Sequence, residues 1–167
     1  MMRLFAAAVL FGVVSCRPAG DQAAARRAAA HDDPAYAGVQ ARGEVAMGVD
    51  QYTSSHVFEP LPDGGRIALE RDTDDTAGIT RIRGHMEQIA RQFAGGDFQL
   101  PGLVHARAVP GTDAMSARRD LITYTVESLP RGAAVRVRSG DPEAVRAIHA
   151  FLAFQREDHH AAAHHGQ

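Results

Sequence analysis

The sequence contains no lysine and no tryptophan, three tyrosines and a single cysteine. One cysteine closes no internal disulfide, so the fold must be held by burial of apolar surface rather than by cross-links. With lysine absent, arginine supplies all eighteen basic residues against twenty acidic ones, for a formal net charge of −2. That balance leaves no basic excess to attract nucleic acid. Long apolar runs are missing too: beyond residue 14 nothing approaches the roughly twenty residues a helix needs to cross a bilayer. Also absent are a Gly-x-Ser-x-Gly elbow, a His-Glu-x-x-His pair and a phosphate-cradling glycine loop, which removes the common signatures of hydrolases and nucleotide-binding enzymes.

What is present begins with an export signal. Arg3 precedes an apolar run over residues 4–14 that is too short to span a membrane, as in a signal peptide. The run ends in Val13-Val14-Ser15-Cys16, which resembles the lipobox of bacterial lipoproteins. The resemblance implies cleavage after residue 15 and diacylation of Cys16, with the chain anchored in the periplasm by its lipid. Two or more acyl chains, at roughly 0.8 kcal/mol per buried methylene, hold a protein on a membrane without a transmembrane helix. Arg17 follows the cysteine where inner-membrane lipoproteins carry Asp, so the outer membrane is the implied destination. Residues 16–34 then form an Ala-rich segment with no aliphatic stripe, expected to be a flexible tether, and a short helix is expected over residues 35–45.

Residues 35–159 read as one α+β domain built on an internal repeat at an offset of sixty-eight residues. Phe58-Glu59-Pro60-Leu61-Pro62-Asp63-Gly64 lies over Val126-Glu127-Ser128-Leu129-Pro130-Arg131-Gly132, and the two halves cover about residues 50–96 and 119–159. Each half reads as strand, turn, strand: the Pro-x-Gly turns bring a fixed and a positive backbone dihedral, and Ile67/Leu69 and Val135/Val137 alternate with polar residues. Each hairpin is followed by a helix. In the first, Asp74 or Asp75 caps a stripe of Ile79, Ile82, Met86, Ile89 and Phe93 that ends at Gly95-Gly96. In the second, Asp141 and Pro142 open a stripe of Val145, Ile148 and Leu152, widened by Phe151 and Phe154. The expected architecture is β-β-α-β-β-α: a four-stranded antiparallel sheet with two helices on one face. The joining segment, 97–120, is expected to be a functional loop with an extended piece at 103–107.

Nine histidines is a high number for this length. His159, His160, His164 and His165 crowd the C-terminus, where a histidine-rich tail over 160–167 either binds a divalent metal weakly or is a solvated end. Within the domain, His56 shares strand parity with Phe58 and corresponds to Tyr124 in the repeat, so its ring should face the helices. His85 flanks the first helix's stripe and His149 the second's. With His105 and Met115 from the joining segment, these form the candidate metal site. Imidazole with thioether suits copper and imidazole alone also suits zinc, whereas the alternative is that each ring merely satisfies a local hydrogen bond.

Met47-Gly48-Val49-Asp50-Gln51, His56 before Phe58, Gly96-Asp97-Phe98, His105, Pro110-Gly111 and Phe154-Gln155-Arg156-Glu157-Asp158-His159 together resemble a family of small uncharacterised exported bacterial proteins. The similarity runs from about Ala35 to His159. Many members carry paired histidines on the first strand; here the second place is Val57. The resemblance implies domain extent and no mechanism. Two further functional classes remain open on the residues alone. One is a non-catalytic envelope binding or scaffolding lipoprotein that meets a partner through an exposed Phe98, Leu100 and Leu103. The other is an unrecognised hydrolase using Asp97, Glu127 or Asp158 beside the histidines.

Overall fold

A computed structural model describes residues 33–161. The signal peptide, Cys16, most of the tether, His164 and His165 lie outside the described residues. The chain begins with helix α1, Pro34–Met47, and a 3-10 turn, Gln51–Thr53. The first hairpin follows as β1, Ser54–Leu61, and β2, Gly64–Arg71, and leads into α2, Thr76–Ala94. Two short helices, α3 (Gln99–His105) and α4 (Thr112–Ala117), connect to the second hairpin, β3 (Ile122–Leu129) and β4 (Gly132–Ser139). Helix α5, Pro142–Asp158, closes the domain.

The four strands form one antiparallel sheet in the order β1-β2-β4-β3, so the fold is α+β with the repeat at its centre. Where β2 meets β4, Ile67 pairs with Val135, its own counterpart in the repeat, and a pseudo-twofold axis therefore passes between them. The helices cross over: α2, which leaves the first hairpin, covers β3 and β4, while α5 covers β1 and β2. Neither half buries its own sheet face, which makes the two halves mutually dependent for stability. Phe58, Ile67, Leu69, Val135 and Val137 from the sheet meet Ile82, Met86 and Phe93 of α2 and Ile148 and Leu152 of α5 in a single core.

The turns show why the repeat keeps its glycines. Gly64 has φ 137°, and a Cβ there would lie 2.3 Å from the Val137 carbonyl oxygen. Its counterpart Gly132 does not need a positive φ; a Cβ would instead meet the Leu69 carbonyl oxygen at 1.9 Å. Close strand approach, rather than turn conformation, demands the second glycine.

Helix α1 has little amphipathic pattern and is set by its ends. The Asp33 carboxylate accepts from the Ala35 N–H at 2.9 Å, Pro34 occupies the first turn, and Gly48 closes the helix at φ 69°. The joining segment differs from expectation: the extended piece at 103–107 is instead the end of α3. Asp97 accepts from the Gln99 N–H at 2.9 Å, and Pro101 falls within the first turn, where no intrahelical N–H is needed. Gly111, at φ 86°, starts α4 where a Cβ would lie 2.2 Å from the Ala147 carbonyl oxygen, so this glycine lets α4 dock on α5. Among the described residues no helix is long and apolar enough to cross a membrane.

Candidate functional site

A cavity of about 70 Å³ opens over the β1–β2 hairpin between α1, α2, α3 and the C-terminal end of α5. That is room for several waters, since one needs roughly 10–15 Å³ by the same measure. Its walls are apolar, and its polar groups are almost all imidazoles: His56 from β1, His85 from α2, His105 from the end of α3 and His159 just past α5, with Gln51 and Gln155 beside them.

Helix and strand geometry explains the meeting. Helix α5 runs antiparallel to β1, with His149 opposite Leu61 and His159 opposite His56. Ten helical residues advance about 15 Å and five strand residues about 16–17 Å, so the two elements stay nearly in step. The His56 and His159 rings stack at 4.9 Å between centroids, and His105 meets His159 edge-on at 5.0 Å. Phe58 stacks on His56 at 5.6 Å and lies 5.5 Å from His159, so the three rings form a triangle.

The environment keeps His56, His85 and His159 neutral. Burial, with a smaller contribution from His85, pushes His56 down to about 4, and burial does the same to His85. His159 is held well below 6.5 by burial first, then by His56, His105 and His160. The Nδ1 atoms of His85 and His159 are buried without a hydrogen-bond partner, as is Oε1 of Gln51. The Gln51 amide is fixed by its Nε2, which donates to the carbonyls of Gln40 at 3.0 Å and Val39 at 3.4 Å. This contact is possible only because residue 43 is glycine, where a Cβ would lie 1.6 Å from that nitrogen.

His105 is held differently. Its side chain is buried, its Nδ1 donates to Asp158 Oδ2, and its Nε2 faces the Gln155 amide oxygen at 2.9 Å. Arg107 donates to the other Asp158 oxygen and lies 4.7 Å over the Phe154 ring. A carboxylate behind an imidazole fixes its orientation, and here the far nitrogen is engaged by the Gln155 side-chain amide, which an ion would have to displace.

Two residues with strained backbones follow these rings. Ala106, at φ 52°, comes directly after His105, and His160, at φ 48°, directly after His159; they are the non-glycine residues with positive φ among those described. At the end of α5 the Ala161 N–H reaches the Arg156 carbonyl and the His160 N–H reaches that of Glu157, a Schellman closure with histidine where glycine is usual. The His160 ring sits 4.5 Å from Tyr36 on α1. Left-handed backbone at two such positions costs on the order of 1 kcal/mol each and marks geometry imposed by its surroundings.

The chain matches no family model, no curated protein and no solved structure.

The site predicted from sequence is thus regrouped. His56, His85 and His105 line one cavity, and His159, expected in the tail, joins them. His149 does not: its Nε2 donates to the Leu61 carbonyl at 2.9 Å, at the far end of β1. The buried face of α5 runs through Ala144, Ala147, Ile148, Phe151 and Gln155 and leaves Val145 on the flank, which carries His149 away. Met115 is buried in the core on α4 and does not line the cavity; Met47 and Met86 do. As they stand, no three His, Cys, Asp or Glu side chains among the described residues are arranged to hold a metal ion.

The carboxylates take structural roles. Asp97 caps α3 and Glu127 pairs with Arg66 at 3.0 Å on the sheet, while Asp158 orients His105. Phe98, expected on the surface, stacks on Phe93 at 4.4 Å and packs against the core; Leu100 faces the cavity and Leu103 is exposed.

Proposed function

We propose that this chain is a lipid-anchored protein of the bacterial cell envelope whose cavity binds a transition-metal ion, copper or zinc, through His56, His85, His105 and His159. The observation that carries this reading is the meeting of four imidazoles from four separate elements in one apolar cavity, with two ring nitrogens buried and unpartnered. A buried polar atom without a partner costs roughly 1–3 kcal/mol, and several gathered in one place call for a ligand that completes them. Neutral imidazole is the form that ligates, and burial already holds His56, His85 and His159 in it. Loading requires the rings to turn from mutual contact toward a common point, for which the cavity leaves space. The lipidated Cys16 anchors the domain to the membrane, on the outer-membrane side of the periplasm.

The test is a copper and zinc titration of the protein with His160, His164 and His165 changed to Asn, so that only the cavity ligates. One equivalent should bind, and His56→Leu with His85→Leu should abolish it. Binding that survives the cavity substitutions, or that vanishes with the tail histidines, overturns the proposal. Fatty-acid labelling that persists in Cys16→Ser would refute the anchor.

A further inference from the structure

The cavity differs from an ordinary divalent-metal site in what its ligands lack. No carboxylate lines it. Asp158, which lies behind the His105 ring, already faces Arg107 as well. An ion entering this space therefore meets only neutral groups within apolar walls, and no ligand offsets its charge. The cost of placing charge in a low-dielectric site grows as the square of that charge, so a divalent ion is penalised about four times as heavily as a monovalent ion of similar size.

Sulfur is present as well. The Met86 side chain is adjacent in sequence to His85 on α2, 1 % exposed, and lines the cavity; Met47, at the end of α1, lines it too. Thioethers are soft ligands that favour cuprous copper over the borderline zinc ion, and they carry no charge. The amide oxygens of Gln51 and Gln155 are the hardest donors on offer.

Resting on the metal reading above, we infer that the cavity selects Cu(I), held by imidazole nitrogens together with the thioether sulfur of Met86 or Met47. The preference arises from neutral ligands in an apolar space and not from a dedicated geometry. It makes His85–Met86 on one turn of α2 a paired nitrogen and sulfur contribution that no other part of the cavity duplicates.

The experiment uses the full chain with the tail histidines changed to Asn, anaerobically, with Cu(I) competed against a chromogenic cuprous chelator and Zn(II) against a zinc dye. Met47→Leu/Met86→Leu conserves volume and apolar character, so the core persists. The double variant should weaken Cu(I) binding about tenfold or more and leave Zn(II) within about twofold, and X-ray absorption of the Cu(I) form should lose its sulfur scattering. Tighter binding of Zn(II) than Cu(I), or Cu(I) affinity and scattering unchanged in the variant, overturns the selectivity while leaving a metal site in place. If neither ion binds the parent protein, the metal reading itself falls.

Discussion

Replacing His85 by leucine should make the metal-free protein more stable while removing its ability to bind metal. The His85 ring is partly buried on α2, and its Nδ1 is fully buried with no partner. Removing an unsatisfied polar atom and extending the apolar wall with a side chain of similar size should contribute about 1 kcal/mol, and 2 at most. In a domain of this size that corresponds to a rise in Tm of roughly 3–5 °C. The effect should grow as the solution becomes acidic. His85 is held at about 4 in the folded protein against 6.5 when unfolded, so between these values the unfolded chain takes up the proton first. Stability is therefore full above pH 6.5 and falls as the pH drops toward 4, by about 3 kcal/mol for this one group. The variant should lack that part of the acid slope. Urea denaturation at pH 7.5, 6 and 5 measures both quantities from the shift in midpoint. A variant less stable than the parent by 1 kcal/mol or more at pH 7.5, or one with an unchanged acid slope, would refute the description of His85 as an unsatisfied neutral ring.

Three other substitutions probe how the site is held. Ala106→Gly removes a left-handed alanine at φ 52° and should raise stability by about 0.5–1 kcal/mol, read from the urea midpoint; a loss would mean that the Ala106 methyl contributes packing that outweighs the strain. Asp158→Asn leaves His105 and Arg107 without their shared carboxylate and should cost about 2–3 kcal/mol in thermal melts. The same change should weaken metal binding roughly 10–100-fold, because the imidazole loses its orienting partner, and unaltered affinity would remove Asp158 from the site. Gly111→Ala places a Cβ against the Ala147 carbonyl at a positive φ, so it should destabilise by about 3 kcal/mol and loosen α4 from α5; hydrogen exchange at Met115 unchanged from the parent would contradict this.

The repeat was legible because its signals are local: Pro-x-Gly turns, alternation in β2 and β4, and Asp141-Pro142 at the start of α5 all lie within a few residues. The pseudo-dyad at Ile67 and Val135 follows from the same offset. Helices α3 and α4 were hidden because they are six or seven residues long and take their definition from capping and docking contacts that no periodicity reports. The histidine set was partly legible for the same reason. His56 can be placed by strand parity and His85 by helix face, whereas His105 is a candidate from the joining segment with no placement, and Val145 suggests the wrong centre for the stripe on α5 and so draws in His149. His159 looks like tail because four histidines crowd the C-terminus, although Leu152, Gln155 and His159 follow one another at helical spacing and continue the buried face. Met47 and Met86 sit at ordinary core positions, and Gln51 becomes a site residue only through its contact with Gly43 and α1. Such long-range juxtapositions have no counterpart in local pattern.

The convergence of imidazoles is tested most directly by a long-range nitrogen–proton NMR correlation of the histidine rings, recorded with one equivalent of a diamagnetic ion, Cu(I) or Zn(II). The resonances of His56, His85, His105 and His159 should move together and stop moving at that ratio, while His149, bound to the Leu61 carbonyl, stays where it was. Movement confined to His160, His164 and His165, or a shift of His149 with the others, would contradict the account.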